Sequence, residues 1–147
     1  MAMEPVSSPQ LSQTPASTVL IIDDDADLGS LYRAALSMVG IEVQIAHNPT
    51  AGWTAATSTQ PDLILLDIDL GSDVSGLDLL DRLRAHRWSG RPPRVVMFTN
   101  AHNPAFRARA MAAGADGYMV KVDYRLPQFL KAVAAFLDRT DDRPTQG

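Results

Sequence analysis

Short apolar runs separated by helical patterns constrain this chain more than any other feature. Such runs are long enough for strands and too short for buried helices, and the intervals between them hold one helix each. This is the pattern of a parallel sheet covered on both faces. Residues 19–22, Leu63–Leu66 and residues 95–98 read as strands buried on both sides. Ile41, Val43 and Ile45 alternate with Glu42 and Gln44, as an edge strand does, and residues 118–120 supply a fifth strand.

Local signals mark the helices between them. Residues 27–39 stop at Gly40, Asn48 can cap a helix with Pro49 in its first turn, and Ser75-x-x-Asp78 is a capping-box pattern. A fourth helix should begin near Pro104 and end at Gly114. The fifth, over residues 126–138, gathers Leu126, Phe129, Leu130, Val133, Phe136 and Leu137 on one apolar stripe. The expected fold is α/β, a doubly wound five-stranded parallel sheet forming a single domain over residues 18–139. Residues 1–17 and 140–147, rich in Ser, Pro, Gln and Thr or otherwise polar, are expected to be flexible tails.

Composition narrows the function. There is no cysteine, which excludes disulfides, thiolate metal sites and cysteine nucleophiles and fits a reducing cytoplasm. No apolar run reaches the roughly 18–20 residues of a membrane span, and the N-terminus lacks a signal-peptide pattern, so the expected location is cytoplasmic, without a membrane partner. A net charge of -4 argues against direct nucleic-acid binding and for a protein partner.

In sheets of this kind ligands bind beyond the carboxyl ends of the strands. The first strand runs into Asp23-Asp24-Asp25, the third into Asp67-Ile68-Asp69, the fourth into Thr99-Asn100 and the fifth into Lys121. Crowded carboxylates repel one another unless a cation sits among them, and hard oxygen donors without His or Cys select magnesium or calcium over zinc. A site with few carboxylates and room for water and phosphate oxygens suits Mg2+. A lysine opposite would neutralise a phosphoryl oxygen and a threonine hydroxyl would hydrogen-bond another, which together describe a phosphoryl-transfer site.

The strand ending in Asp23-Asp24, the run from Leu63 to Asp67, the run from Val95 to Thr99 and Gly117-Tyr118-Met119-Val120-Lys121 resemble, in that order, the receiver domain of response regulators. The likeness covers about 120 residues. It implies the flavodoxin-like (βα)5 arrangement, with Asp67 as phosphoacceptor, Asp24 as direct metal ligand, Asp23 holding Mg2+ through water and Asp69 offering its backbone carbonyl. It implies Lys121 as the partner of the phosphoryl group, Thr99 as a switch hydroxyl and Tyr118 as the aromatic that follows it. The implied donor is a phosphohistidine on a histidine kinase or phosphotransfer protein. The implied readers are a downstream protein or a second copy, at the face of the fourth helix, fifth strand and fifth helix. Such a module modifies and demodifies itself rather than turning over a substrate.

Three positions depart from the family pattern. Gly71 stands where a proline is usual, in a stretch one residue longer, so that loop is expected to be mobile. Val122 replaces the proline that usually follows the lysine with a cis bond, so a trans bond and a differently seated lysine loop are expected. Asn100 replaces a small residue and is expected either to narrow access to Asp67 or to add a hydrogen bond.

Plainer readings cover the rest. Asp25 and Asp27 fit a helix start. The histidines His47, His86 and His102 are isolated. Arg82, Arg84, Arg87, Arg91 and Arg94 read as a solvated face, Trp53 and Trp88 as packing residues, and Phe106 with Met111 as core-facing on the fourth helix. Two rivals of other classes stand beside the receiver. A haloacid-dehalogenase-type phosphatase shares the strand-Asp-x-Asp motif, but its further acidic pair follows the nucleophile whereas Asp23-Asp24 precedes Asp67. A degenerate receiver that only binds partners is opposed by the intact acids, Thr99 and Lys121.

Overall fold

The computed structural model describes residues 16–138. The expected tails therefore lie outside the described residues, apart from Ala16 and Ser17. Five parallel strands, β1 (Thr18–Ile22), β2 (Glu42–Ala46), β3 (Leu63–Leu66), β4 (Arg94–Thr99) and β5 (Gly117–Val120), form one sheet in the order β2-β1-β3-β4-β5. Helices α1 (Ala26–Met38), α2 (Pro49–Thr59), α3 (Gly76–Ala85), α4 (Pro104–Ala112) and α5 (Leu126–Leu137) connect and follow them. The order is that of a single doubly wound flavodoxin-like domain, as expected.

Strand side chains alternate between two cores. Leu20, Ile22, Ile64, Leu66, Val95 and Met97 face one side with Leu79, Leu80 and Leu83 of α3. Val19, Ile21, Leu63, Leu65, Val96 and Phe98 face the other with Leu36 of α1 and Phe129 and Val133 of α5. The second core holds an aromatic cluster in which Tyr32 lies 4.9 Å from Phe98 and 4.6 Å from Phe129.

The local signals act as expected. Asn48 accepts from the Ala51 N–H to cap α2, and Ser75 with Asp78 forms the capping box of α3. Gly40 and Gly114 take positive φ just past α1 and α4, ending them where glycine alone is free of strain. Trp88 covers the end of α3, its indole N–H donating to the Leu83 carbonyl, and His86 lies between Trp53 and Trp88. The arginines do more than face solvent: Arg82 stacks over Trp53 and Arg84 donates to the Pro93 carbonyl. The core assignment of Phe106 and Met111 is corrected. They are 37% and 44% exposed, because α4 meets the sheet through the small side chain of Ala110.

Candidate functional site

The acids are placed by the sheet itself. The ladder continues one residue past the strands, with the Asp23 N–H donating to the Ala46 carbonyl and the Asp67 N–H to the Ile22 carbonyl, each at 3.0 Å. Register does the rest. Ile22 pairs with Leu66, Leu66 with Met97 and Thr99 with Val120, so the residues just past each strand share one rim.

The buried polar or charged residues among the described ones are Asp23, Asp67, Thr99 and Lys121, all at that rim. Burial of charge is costly unless it is paired. Lys121 Nζ lies 2.5 Å from Asp23 Oδ2 and 3.0 Å from Asp67 Oδ2, joining residues 98 and 54 positions apart in the chain. Burial alone would pull the Lys121 ammonium down, but its bonds to Asp23 and Asp67 outweigh this and hold it above the usual lysine value. Burial pushes the Asp23 carboxyl up despite the lowering effect of Lys121, and the neighbouring Asp67 adds to the rise. The pocket is short of positive charge.

Carboxylate oxygens of Asp23, Asp24 and Asp67 lie within 4.8 Å of one another. With all three ionised against the one ammonium, two negative charges remain. This all-oxygen set, with Asp24 exposed to a pocket of about 370 Å3, fits a hard divalent cation that keeps some of its water. Asp69 lines the same pocket, and its N–H donates to Asp67 Oδ1 at 3.3 Å. Asp25 also lines it, but its carboxylate caps α1 by accepting the Leu28 N–H.

Thr99 lines the pocket, and its Oγ1 accepts the Ala101 N–H at 3.3 Å. Tyr118 does not line it. The ring is buried and its hydroxyl donates to the Ala101 carbonyl at 2.6 Å, so Ala101 joins the two expected switch residues.

The departures have local causes. Gly71 has φ +61°, which proline's ring forbids, and a Cβ there would stand 3.0 Å from Asp24 Oδ2. No peptide bond among the described residues is cis, so Val122 follows Lys121 through a trans bond. Asn100 adds a hydrogen bond, its Oδ1 accepting the Val122 N–H at 3.1 Å. Two contributors escape sequence reasoning. Ala101 has no chemistry of its own, and Gly76 matters because a Cβ there would fall 1.9 Å from the Asp67 carbonyl oxygen. Neither carries a local signal beyond being small.

Comparison with known proteins agrees with this fold. Residues 19–134 match the response regulator receiver domain family. The chain is 36% identical over 126 residues to the DNA-binding dual master transcriptional regulator RpaA of Synechocystis, covering 86% of this chain and 51% of that protein. It is 32% identical over 133 residues to the DNA-binding response regulator MtrA of Mycobacterium tuberculosis, covering 90% and 56%. A CheY-like receiver domain from Methanospirillum hungatei superposes with a TM-score of 0.76 at 27% identity, covering 85% of this chain and 96% of that one. The chain thus spans about half the length of these curated relatives. The expectation that nucleic acid is not a partner is corrected, since those relatives are DNA-binding regulators. A net charge counted on one receiver-sized segment describes that segment's surface and says nothing of the rest of such a protein. Among the described residues no helix is long and apolar enough to cross a membrane.

Proposed function

The chain belongs to the response regulator receiver domain family, and on that premise we propose that Asp67 accepts a phosphoryl group with the help of a divalent cation, normally Mg2+. The observation that carries the reading is the Lys121 ammonium bonded to both Asp23 and Asp67 in a buried acidic pocket. A buried ion pair often adds no stability over well-packed apolar residues, whereas phosphoryl transfer needs both charges.

In this reading an Asp67 carboxylate oxygen attacks phosphorus in line. An O–P bond forms while the P–N bond of a phosphohistidine, or the P–O bond of an acyl phosphate, breaks with its electron pair going to the leaving atom. A cation held directly by Asp24 and Asp67, by Asp23 through water and by the Asp69 carbonyl would neutralise phosphoryl oxygens. Lys121 pairs with another oxygen, shifting its ammonium from the carboxylates onto the phosphoryl group. Thr99 turns its hydroxyl toward a third. Because Thr99 and Tyr118 both bond to Ala101, that turn reaches the face formed by α4, β5 and α5. The likeness to RpaA and MtrA makes transcription the proposed output of the whole protein.

Intact-mass analysis after acetyl phosphate, with and without magnesium, tests this. The wild type should gain a single phosphoryl group only with the cation, and Asp67→Asn should gain none. An equal gain in Asp67→Asn would overturn the assignment. No gain in the wild type would leave a receiver that acts by binding alone.

A further inference from the structure

We propose that Asn100 is a positioning residue for the chemistry at Asp67, holding the loop that carries the Lys121 ammonium through the backbone N–H of Val122. The inference rests on the reading of Asp67 as phosphoacceptor.

Beyond Val120 the sheet gives the chain little support. β5 is an edge strand, and its ladder with β4 ends where Thr99 meets Val120. Lys121 to Asp123 then form a three-residue 3-10 turn, closed by the Tyr124 N–H donating to the Lys121 carbonyl at 3.2 Å. Val122, at its centre, is 68% exposed, so its side chain does little to fasten the turn. The Asn100 side-chain carbonyl extends the β4–β5 pairing by one further hydrogen bond, at 3.1 Å, in place of the backbone acceptor that the ladder lacks there. Asn100 follows Thr99 and Val122 follows Lys121, so this bond ties together the two loops that bring hydroxyl and ammonium to the same pocket.

The two residues are also halves of one device. A proline at position 122 would have no N–H to give, and a small residue at position 100 would have no acceptor to receive it. Asn100 therefore fastens a turn that the exposed Val122 side chain leaves free, and without it the ammonium spends less time against Asp67.

The test is a mutant cycle on the full chain. Asn100→Ala should slow phosphorylation by acetyl phosphate about fivefold and speed exchange of the Val122 amide about tenfold, as loss of one net hydrogen bond implies. In a Lys121→Ala background the same substitution should change the rate by less than about twofold, because no ammonium remains to be positioned. Asn100→Asp keeps the acceptor and should restore Val122 amide protection. If Asn100 instead only obstructs Asp67, Asn100→Ala will speed phosphorylation in both backgrounds, and the proposal fails. An unchanged Val122 amide in Asn100→Ala also overturns it. A wild type that takes no phosphate removes the phosphoacceptor reading instead, and amide exchange still decides whether Asn100 holds the turn.

Discussion

Gly76 shows how closely the backbone is fitted around Asp67. Its N–H donates to the Ile68 carbonyl at 2.8 Å, so the first turn of α3 rests on the chain just after β3. With a Cβ falling 1.9 Å from the Asp67 carbonyl oxygen, Gly76→Ala must push helix and strand apart. We expect a loss of about 3 kcal/mol in urea unfolding, at the upper end for overpacking. A change below about 0.5 kcal/mol would show that the contact relaxes freely. At this scale legibility was uneven for a physical reason. Asp23, Asp67, Thr99 and Lys121 stand at or one residue beyond strand ends, and strands can be found from apolar runs, so their convergence was readable. The partnership of Asn100 with Val122 and the crowding at Gly76 depend on the paths of loops, which no periodicity records.

Among the elements, α3 is held at its start by charge as well as by shape. Asp78 accepts the Ser75 N–H at 3.1 Å, and Arg109 of α4 pairs with Asp78 and Asp81 at 3.4 and 3.2 Å. The Ser75 N–H, followed by Arg109, holds the exposed Asp78 carboxyl below its ordinary value of 3.8. A carboxylate with a lowered folded value contributes stability that is fully present above its unfolded value and is lost as pH falls through the folded one. Asp78→Asn should therefore be less stable than wild type at neutral pH, with the difference closing in acid. Equal unfolding midpoints at pH 7 would refute this. The capping box was legible because it is a local pattern at fixed spacing. The facing of α4 was not: Phe106 and Met111 looked apolar enough for the core, but the helix offers Ala110 to the sheet and leaves the larger residues outside.

For the molecule as a whole, the charge deficit of the pocket predicts a response to cations. Magnesium at about a hundredfold above its dissociation constant should stabilise the fold by roughly 2.7 kcal/mol through mass action. Thermal unfolding with magnesium or with a chelator would show this as a rise in midpoint, and Asp24→Asn, altering an exposed acid, should abolish the rise while still folding. An undiminished rise in that variant would place the ion elsewhere. The sheet meanwhile keeps its two cores apart, each inner strand residue belonging to one side. Asp67 follows β3, which both sides clamp, and the first turn of α3 closes on its carbonyl, so its place is set by the sheet and that one helix start. The flank of α1 and α5 can therefore drift in sequence while the carboxylate of Asp67 stays where it is.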